Sequence, residues 1–252
     1  MKRKYRTIFI SDLHLGTPGA QAKLLLQFLK QNDADELYLV GDIIDGWRMK
    51  NGISWPQEHS DVLREILKKA SKGTKVRYIV GNHDEFLRKW LSWNPRFGRV
   101  RINNHREYTA LNGKRYLVVH GDMFDALMRE ELKWIMKLGD VGYGFLIWLN
   151  TRLNKLRALF GLPYWSMSKY IKTKAKKAVS FVAKFEERLA TYAKDKNYDG
   201  VICGHIHSAN ITEIDGVEYL NTGDWVESCT AIVETHKGVF KLIDWSKQIK
   251  NV

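Results

Sequence analysis

Residues 7–16 read TIFISDLHLG, a short apolar run that ends abruptly in charged and polar side chains. Thr7 to Ile10 is rich in β-branched and aromatic residues, which predicts a buried strand, and Asp12 and His14 follow it at once. Four later runs repeat this form, each with a polar cluster directly after it: Leu37 to Val40, Val76 to Val80, Arg115 to Val119 and Gly200 to Ile202. We therefore expect five strands whose carboxyl ends carry the functional side chains.

Helical patterns separate these runs. Apolar residues recur at helical spacing between the first two runs and between the next two: Ala22, Leu25, Leu26, Phe28 and Leu29, then Val62, Ile66 and Leu67. Strands that alternate with helices predict an α/β fold. Strand-like runs at the end of the chain predict a second sheet packed behind the first: Ile211 to Ile214, Val217 to Leu220, Thr230 to Glu234 and Val239 to Ile243.

A long segment, about 124–196, has no strand signals. We interpret it as a helical insertion in a single domain that covers residues 1–252. Its part from Val141 to Phe185 has no Asp or Glu but nine basic residues, interleaved with aromatic and aliphatic ones. Such a segment suits an anionic membrane surface or an acyl chain beside a diphosphate. Packing of its apolar face on the core, with solvated lysines outside, explains the same pattern.

The chain is strongly basic, since 41 Lys and Arg against 28 Asp and Glu give a net charge of +13. This charge predicts an anionic partner, which can be nucleic acid, an acidic membrane or a polyanionic substrate. The first apolar run is too short for a signal peptide, and no run approaches the roughly 20 apolar residues that span a bilayer. Cys203 and Cys229 form no CxxC pair and predict no disulfide framework. We therefore expect a cytoplasmic protein.

The polar clusters after the five runs contain side chains that bind metals: Asp12, His14, Asp42, Asn82, His120, His205 and His207. The carboxyl ends of strands in an open α/β sheet face the ligand crevice, so distant loops can converge there. One histidine after a strand is ordinarily a turn residue, but five such clusters predict a metal site. Seven ligands suffice for two divalent ions that share a carboxylate, an arrangement that stabilises displacement at phosphorus. Imidazole with carboxylate suits manganese, our first choice, with iron or zinc as alternatives.

The blocks DLH, GD, GNHD, a later H and GHIH, from Asp12 to His207, resemble the signature of the calcineurin-like metallophosphoesterase superfamily. The resemblance implies an α/β/β/α sandwich of two mixed sheets and a hydrolase whose nucleophile is a water activated by two ions. It implies these ligand sets: Asp12, His14, Asp42 and His207 for the first ion, and Asp42, Asn82, His120 and His205 for the second, with Asp42 bridging.

The same resemblance gives His83 a catalytic position, facing the phosphoryl oxygen or the leaving group. Asp84 would hold the ring of His83 in orientation, as carboxylates commonly do for functional histidines. Asp84 can instead be only the N-cap of a following helix. Trp47, Arg48 and Trp225 follow the metal loops closely and are candidates either for substrate contact or for the core.

Nearly the whole chain also looks like the UDP-2,3-diacylglucosamine diphosphatase group of lipid A biosynthesis, through GDIIDGW, GNHDEFL, the insertion after HGD and NTGDWVES. Enzymes of that group release UMP and a lipid 1-phosphate at the inner face of the cytoplasmic membrane. The resemblance implies a lipid-linked UDP-sugar as substrate and peripheral binding to an anionic membrane through the basic, aromatic insertion, and we predict no protein partner. In the best-understood branch arginine stands where this chain has His83, which leaves the exact substrate open.

Two other functions fit parts of the sequence. A nucleotide or nucleic-acid phosphodiesterase on the same scaffold also suits a basic surface with stacking aromatics. An apolar pocket in the insertion would favour a lipid, and an open basic groove would favour a nucleic-acid strand. A non-catalytic basic binding protein on a decayed scaffold would lack metal ligands, and none is missing here.

Overall fold

The computed structural model describes residues 3–49, 55–127 and 167–248. The strands are β1 (Arg3–Ile10), β2 (Asn32–Val40), β3 (Lys75–Ile79), β4 (Arg96–Phe97), β5 (Val100–Asn103), β6 (His105–Thr109), β7 (Arg115–Val119), β8 (Gly200–Cys203), β9 (Asn210–Ile214), β10 (Val217–Asn221), β11 (Thr230–Glu234) and β12 (Phe240–Asp244). The α-helices are α1 (Ala22–Gln31), α2 (Gly46–Met49), α3 (Gln57–Ser71), α4 (Met167–Asp195) and α5 (Trp245–Gln248). Two 3₁₀ helices span Glu85–Trp93 and Asp122–Leu127.

The strands form two mixed sheets, which confirms the predicted α/β class. The larger sheet has the order β12-β11-β1-β2-β3-β5-β4, and the smaller one has the order β6-β7-β8-β10-β9. The larger sheet contains a run of four parallel strands, β1-β2-β3-β5. The smaller sheet contains a run of three parallel strands, β7-β8-β10. The five strands predicted to carry the site are therefore divided between the two sheets.

The predicted grouping of the last four strands is corrected by the structure. Only β9 and β10 join the second sheet, whereas β11 and β12 extend the first. Strand β11 pairs antiparallel with β1, with Thr7 opposite Glu234. Strands β4, β5 and β6 were not predicted, because their basic residues interrupt any apolar run, as in RVRIN and HREYT.

Side-chain alternation along the strands divides the core into two layers. Ile8 and Ile10 of β1 pack with α1 and α3 on one face of the larger sheet, while Phe9 between them points to the opposite face. There Phe9 meets apolar residues from both sheets: Tyr38, Val40, Ile79, Tyr116, Val118, Ile202 and Leu220. The alternation therefore produces a helix layer on one face of the larger sheet and a sheet-to-sheet interface on the other.

The chain divides into two compact units, residues 1–122 with 186–252, and residues 123–185. Most of the predicted insertion, including residues 128–166 and hence much of the basic segment from Val141, lies outside the described residues. Helix α4 supplies its described part, and the prediction of one domain with an insertion at about 124–196 stays a prediction. Within the described ranges, no helix is both long and apolar enough to cross a membrane.

A buried glutamate links the two sheets. Glu234 of β11 is fully buried, and its carboxylate accepts hydrogen bonds from Arg6 of β1, from the hydroxyl of Tyr108 of β6 and, at 2.7 Å, from the backbone N–H of Leu111. The Tyr108 hydroxyl also lies 2.7 Å from Thr7 Oγ1. The two sheets are thus joined by polar contacts as well as by the apolar layer.

We expect Glu234→Ala to lower the free energy of unfolding by about 2–4 kcal/mol, because it leaves several buried donors without an acceptor. Urea unfolding followed by circular dichroism measures the loss. Glu213→Ala, at an exposed position of β9, is the matched control and should change stability by less than about 0.5 kcal/mol. Equal effects of the two substitutions would show that the buried network contributes nothing.

Candidate metal centre

All the predicted site residues lie in the loops that directly follow five strands. Asp12 and His14 follow β1, Asp42 follows β2, and Asn82, His83 and Asp84 follow β3. His120 follows β7, and His205 and His207 follow β8. Backbone hydrogen bonds join these loops, with Asp12 N donating to Gly41 O at 3.0 Å and Gly204 N to His120 O at 3.1 Å. The two sheets therefore bring their polar loops to one place.

Three groups of side chains in this place are close enough to bind a metal ion. In each group one ligand atom of every member lies within 4.8 Å of the others: Asp12, His14 and His207; His14, Asp42 and His83; and Asp42, His120 and His205. Asp42 and His14 each belong to two groups. The groups therefore form a continuous cluster suited to more than one ion.

The two carboxylates of the cluster are each held by a backbone amide. Asp12 Oδ2 accepts from His205 N at 2.9 Å, and Asp42 Oδ1 accepts from His83 N at 2.8 Å. The other oxygen of each carboxylate faces imidazoles, with Asp12 Oδ1 at 3.2 Å from His207 Nε2 and Asp42 Oδ2 at 3.3 Å from His120 Nε2. One oxygen of each carboxylate is thus fixed by the backbone and the second is directed into the cluster.

The chain must turn sharply to direct these side chains inward. Five site residues have positive φ, a conformation that costs a non-glycine residue energy and that clusters at functional sites: Asp12, His14, Asp42, His205 and His207. Glycines provide the room around them, because a Cβ on Gly81 would lie 2.2 Å from Asp42 Oδ1 and one on Gly204 would lie 2.4 Å from Asp12 Oδ2. The loops are therefore shaped for the carboxylates they enclose.

Contacts at the far side of two histidine rings set the direction of their Nε2 atoms. His120 Nδ1 lies 2.9 Å from the carbonyl oxygen of Val40, so Nδ1 carries the proton and Nε2 is left as a ligand atom. His14 Nδ1 lies 3.2 Å from Asp45 Oδ2, which has the same effect. Both rings thus present Nε2 to the carboxylates.

Asp45 is a functional residue that the sequence interpretation missed. Its Oδ2 lies 2.9 Å from His83 Nδ1 as well as near His14, and its Oδ1 accepts from Arg48 N at 2.8 Å. One buried carboxylate therefore orients two histidine rings of the cluster. The motif GDIID carries Asp45 three residues after Asp42, and this repetition of Asp was the only signal available.

The orienting role expected of Asp84 is corrected by these contacts. Its carboxylate accepts from the backbone N–H groups of Ile43 at 3.2 Å, Ile44 at 2.8 Å and Gly81 at 3.4 Å. It also occupies the N-cap position of the 3₁₀ helix that follows, as the alternative expected, but makes no side-chain capping bond to that helix. Asp84 instead ties the loop after β3 to the loop after β2.

Electrostatics keep the two central carboxylates ionised. Burial alone raises the pKa of Asp12 and Asp42, but the positive charge of His120 and other nearby histidines outweighs it and lowers the pKa of both. For His120, burial lowers the pKa, while Asp42 and Asp12 raise it to about 10. Burial and the repulsion of Asp42 raise the pKa of Asp84 to about 6. A bound divalent cation would supply the positive charge these carboxylates require, in place of the proton on His120.

Buried polar atoms without hydrogen-bond partners indicate that the cluster can bind a metal ion. Among the described residues, Asp12 Oδ1, Asn82 Oδ1 and His120 Nε2 are buried and accept or donate no hydrogen bond. Buried polar atoms are rarely left unpaired unless a ligand or ion satisfies them. Carboxylate, amide and imidazole atoms together form the donor set that suits manganese, iron or zinc. The residues present therefore fit divalent metal ions.

A comparison with protein families decides the class of this site. The family model described as calcineurin-like phosphoesterase matches residues 5–209. The chain belongs to the calcineurin-like phosphoesterase family. It is a metal-dependent hydrolase, and the matched range includes every predicted ligand.

Individual relatives resemble this phosphoesterase over almost its whole length. A UDP-2,3-diacylglucosamine hydrolase from Vibrio atlanticus is 24% identical, and the match covers 91% of this chain and 93% of the relative. One from Neisseria meningitidis is 25% identical, with coverage of 89% and 92%. Among solved structures, the E. coli phosphoesterase Yfce matches with a TM-score of 0.45 at 14% identity, covering 94% of this chain and 98% of that one.

The three further candidates have different surroundings. Trp225 is fully buried and packs on Phe28 with ring centroids 5.2 Å apart, so it is a core residue. Trp47 is half exposed, and its ring lies 4.3 Å from that of His83. Arg48 has an exposed side chain. Trp47 is thus the candidate whose side chain lies against a histidine of the cluster, whereas Arg48 and Trp225 contact Asp45 and Asp12 through their backbone N–H groups.

We expect Asp45→Asn to lower kcat/KM for bis-p-nitrophenyl phosphate about 10–100-fold, the usual loss when an outer partner of a metal-binding histidine is removed. Manganese titration of the activity measures it, and a higher manganese concentration for half-maximal activity is expected alongside, because the ions bind less tightly. Asp61→Asn, which alters surface contacts with Gln57 and Arg64 away from the cluster, is the control. Full activity of Asp45→Asn at every manganese concentration would contradict an orienting role.

Proposed function

We propose that this enzyme cleaves the pyrophosphate of UDP-2,3-diacylglucosamine to UMP and 2,3-diacylglucosamine 1-phosphate. The observation that carries the proposal is the cluster of three donor groups around Asp12 and Asp42, in a chain whose relatives over about 90% of both lengths are named UDP-2,3-diacylglucosamine hydrolase. A site for two ions suits attack on a phosphoanhydride, since it stabilises the attacking and the leaving oxygens.

We assign the ligands as the family resemblance implies, and the donor groups and unpaired atoms support this choice. His83 also lies in a group with His14 and Asp42, but we assign it to the substrate. The first ion would be held by Asp12, His14, Asp42 and His207, and the second by Asp42, Asn82, His120 and His205. Asp42 would be the ligand shared by both ions, since its Oδ2 lies 3.3 Å from His120 Nε2 and 4.0 Å from His14 Nε2. Manganese is the metal we expect. When bound, the ions lower the pKa of a water and offset the charge that develops on the phosphoryl oxygens.

The protein side chains position the substrate and move one proton. His83 Nδ1 faces Asp45, so His83 Nε2 is directed to the other side of the ring, 3.9 Å from Asp42 Oδ2. In this position His83 contacts the phosphate and donates a proton to the leaving phosphate oxygen as the P–O bond of the bridge breaks and water adds to phosphorus. Asp42 contributes by holding the His83 backbone amide at 2.8 Å as well as by binding metal.

We propose that the enzyme binds peripherally to the inner face of the cytoplasmic membrane. A doubly acylated substrate resides in a bilayer, and the basic, aromatic segment from Val141 to Phe185 is suited to an anionic lipid surface. The net charge of +13 acts in the same direction.

We expect Asp42→Asn to abolish activity on every phosphoester, with a loss of more than about 100-fold, because it removes the shared ligand. Metal content after gel filtration should fall with it, while an unchanged elution volume shows that the fold is intact. Asp61→Asn again serves as control. Activity and bound metal equal to those of the unaltered enzyme would refute the assignment of Asp42.

The substrate is tested by release of UMP from UDP-2,3-diacylglucosamine by manganese-loaded enzyme in detergent. We expect UMP release to depend on the acyl chains. UDP-N-acetylglucosamine, which has the same diphosphate without the acyl chains, is the control substrate and should release little UMP. Bis-p-nitrophenyl phosphate reports whether the site is active in each preparation. Activity on this diester with no UMP release would keep the two-metal chemistry and replace the lipid by nucleotide or nucleic-acid substrates.

A further inference from the structure

The 3₁₀ helix Glu85–Trp93 carries large aromatic residues on its exterior. Leu87 and Leu91 pack against the core, whereas Trp90 is 40% exposed and Trp93 is 74% exposed. Soluble proteins rarely expose large apolar side chains next to each other, and where they do, the exposed patch commonly marks an interaction site. The helix therefore has a surface that its own fold does not use.

Basic residues flank these tryptophans in the sequence. The stretch 86–106 contains six Arg and Lys and no Asp or Glu. Arg96 and Arg101 are opposite each other in the β4–β5 pair, and Arg99 lies in the turn between the strands. Within the described part of the chain, none of these three arginines forms an ion pair, and all are exposed. The nearby charges of Arg96 and Arg77 lower the pKa of Arg101, as expected where cations are crowded without counterions.

The geometry of the aromatic rings is informative about the partner. Trp90 and Trp93 meet edge to face with centroids 4.9 Å apart, and Lys89 Nζ lies 5.0 Å from the Trp90 ring. One face of Trp90 thus lies beside a cation, which leaves less of that ring open for a nucleic-acid base to stack on. Indole rings beside cations instead match the headgroup region of a bilayer, where tryptophan is enriched.

Protection of an edge strand explains only part of this pattern. Strand β4 is the edge of the larger sheet, and arginine on an edge prevents pairing with other strands. That role requires no exposed tryptophan. A second copy of the chain is also a poor partner, because a symmetric contact would bring two arginine clusters together.

We propose that Lys89, Trp90, Trp93, Arg96, Arg99 and Arg101 form a docking surface for an anionic lipid bilayer. This tryptophan–arginine surface belongs to the phosphoesterase core and is separate in sequence from the basic segment at 141–185. A membrane-docking surface rests on the proposed function, because that function requires a substrate taken from a membrane. Tryptophan side chains enter the interface, and the arginines bind the lipid phosphates.

The test is co-sedimentation of the full-length protein with vesicles of phosphatidylcholine, with and without phosphatidylglycerol. The unaltered protein should bind only the anionic vesicles, and less at high salt. Arg96→Gln/Arg99→Gln/Arg101→Gln should lower the partition coefficient roughly 100-fold, because each cation near an anionic surface contributes to binding. Trp90→Ala/Trp93→Ala should lower it about tenfold through lost burial of the rings.

Matched controls separate this surface from general charge. Lys23→Gln/Arg64→Gln/Lys72→Gln removes three exposed cations from helices α1 and α3 and the turn after α3, and Leu67→Ala/Leu111→Ala removes exposed apolar side chains elsewhere. Both should bind vesicles as the unaltered protein does. Hydrolysis of bis-p-nitrophenyl phosphate, which needs no membrane, should stay unchanged in all variants and so reports intact folding.

Several outcomes would overturn the proposal. These are no binding of the unaltered protein to anionic vesicles, equal losses in the arginine variant and its control, or tryptophan-dependent binding of polyuridylate in preference to vesicles. If the tryptophan variant misfolds, the arginine variant decides alone. Vesicle binding without UMP release from the lipid substrate would leave this surface in place and remove the proposed function.

Discussion

Asp12 and Asp42 are two buried carboxylates that repel each other, and the structure holds them together. The charge of Asp12 acts to raise the pKa of Asp42, so their proximity opposes ionisation. Backbone amides from His205 and His83 each bind one carboxylate oxygen, and imidazoles surround the other. The two residues follow neighbouring parallel strands in the same sheet, β1 and β2, whose register fixes how close their loops come. A divalent cation between these carboxylates would turn the repulsion into attraction.

This constraint explains why the fold needs two sheets. The loops after β1, β2 and β3 supply the carboxylates, Asn82 and His14, but His120, His205 and His207 come from the second sheet. The apolar layer between the sheets and the contacts of buried Glu234 keep the two sets of loops in place. Left-handed residues in these loops each cost about 1–3 kcal/mol, and only a well-packed scaffold sustains several of them.

The sequence was sufficient to predict features that depend on periodicity or on side-chain type. Strand runs followed by Asp, Asn or His identified five loops that the structure brings together, because parallel strands direct their carboxyl ends to one side. Features that depend on long-range geometry were not accessible. Strands β4 to β6 are short and rich in arginine, so they have no apolar signal, and the membership of β11 in the first sheet follows from pairing with a strand more than 200 residues away. Asp84 is the sequence neighbour of His83, yet Asp45, from another loop, contacts its ring.

The position of Asp84 also connects the metal cluster to the tryptophan–arginine surface. Its buried carboxylate fixes the loop after β3 on Ile43 and Ile44, and the 3₁₀ helix begins at the next residue. Trp47 reinforces this junction, since its ring lies against His83 and its Nε1 donates to Glu85 Oε1 at 3.1 Å. Nine residues of 3₁₀ helix extend about 18 Å, at a rise of roughly 2 Å per residue. With Trp93 at a bilayer surface, His83 would thus lie within about 20 Å of the lipid phosphates. A UDP headgroup could then reach the metal cluster while the acyl chains of the same molecule remain in or near the bilayer. The 3₁₀ helix after the His83 loop would thus set the distance between the reaction site and the bilayer surface.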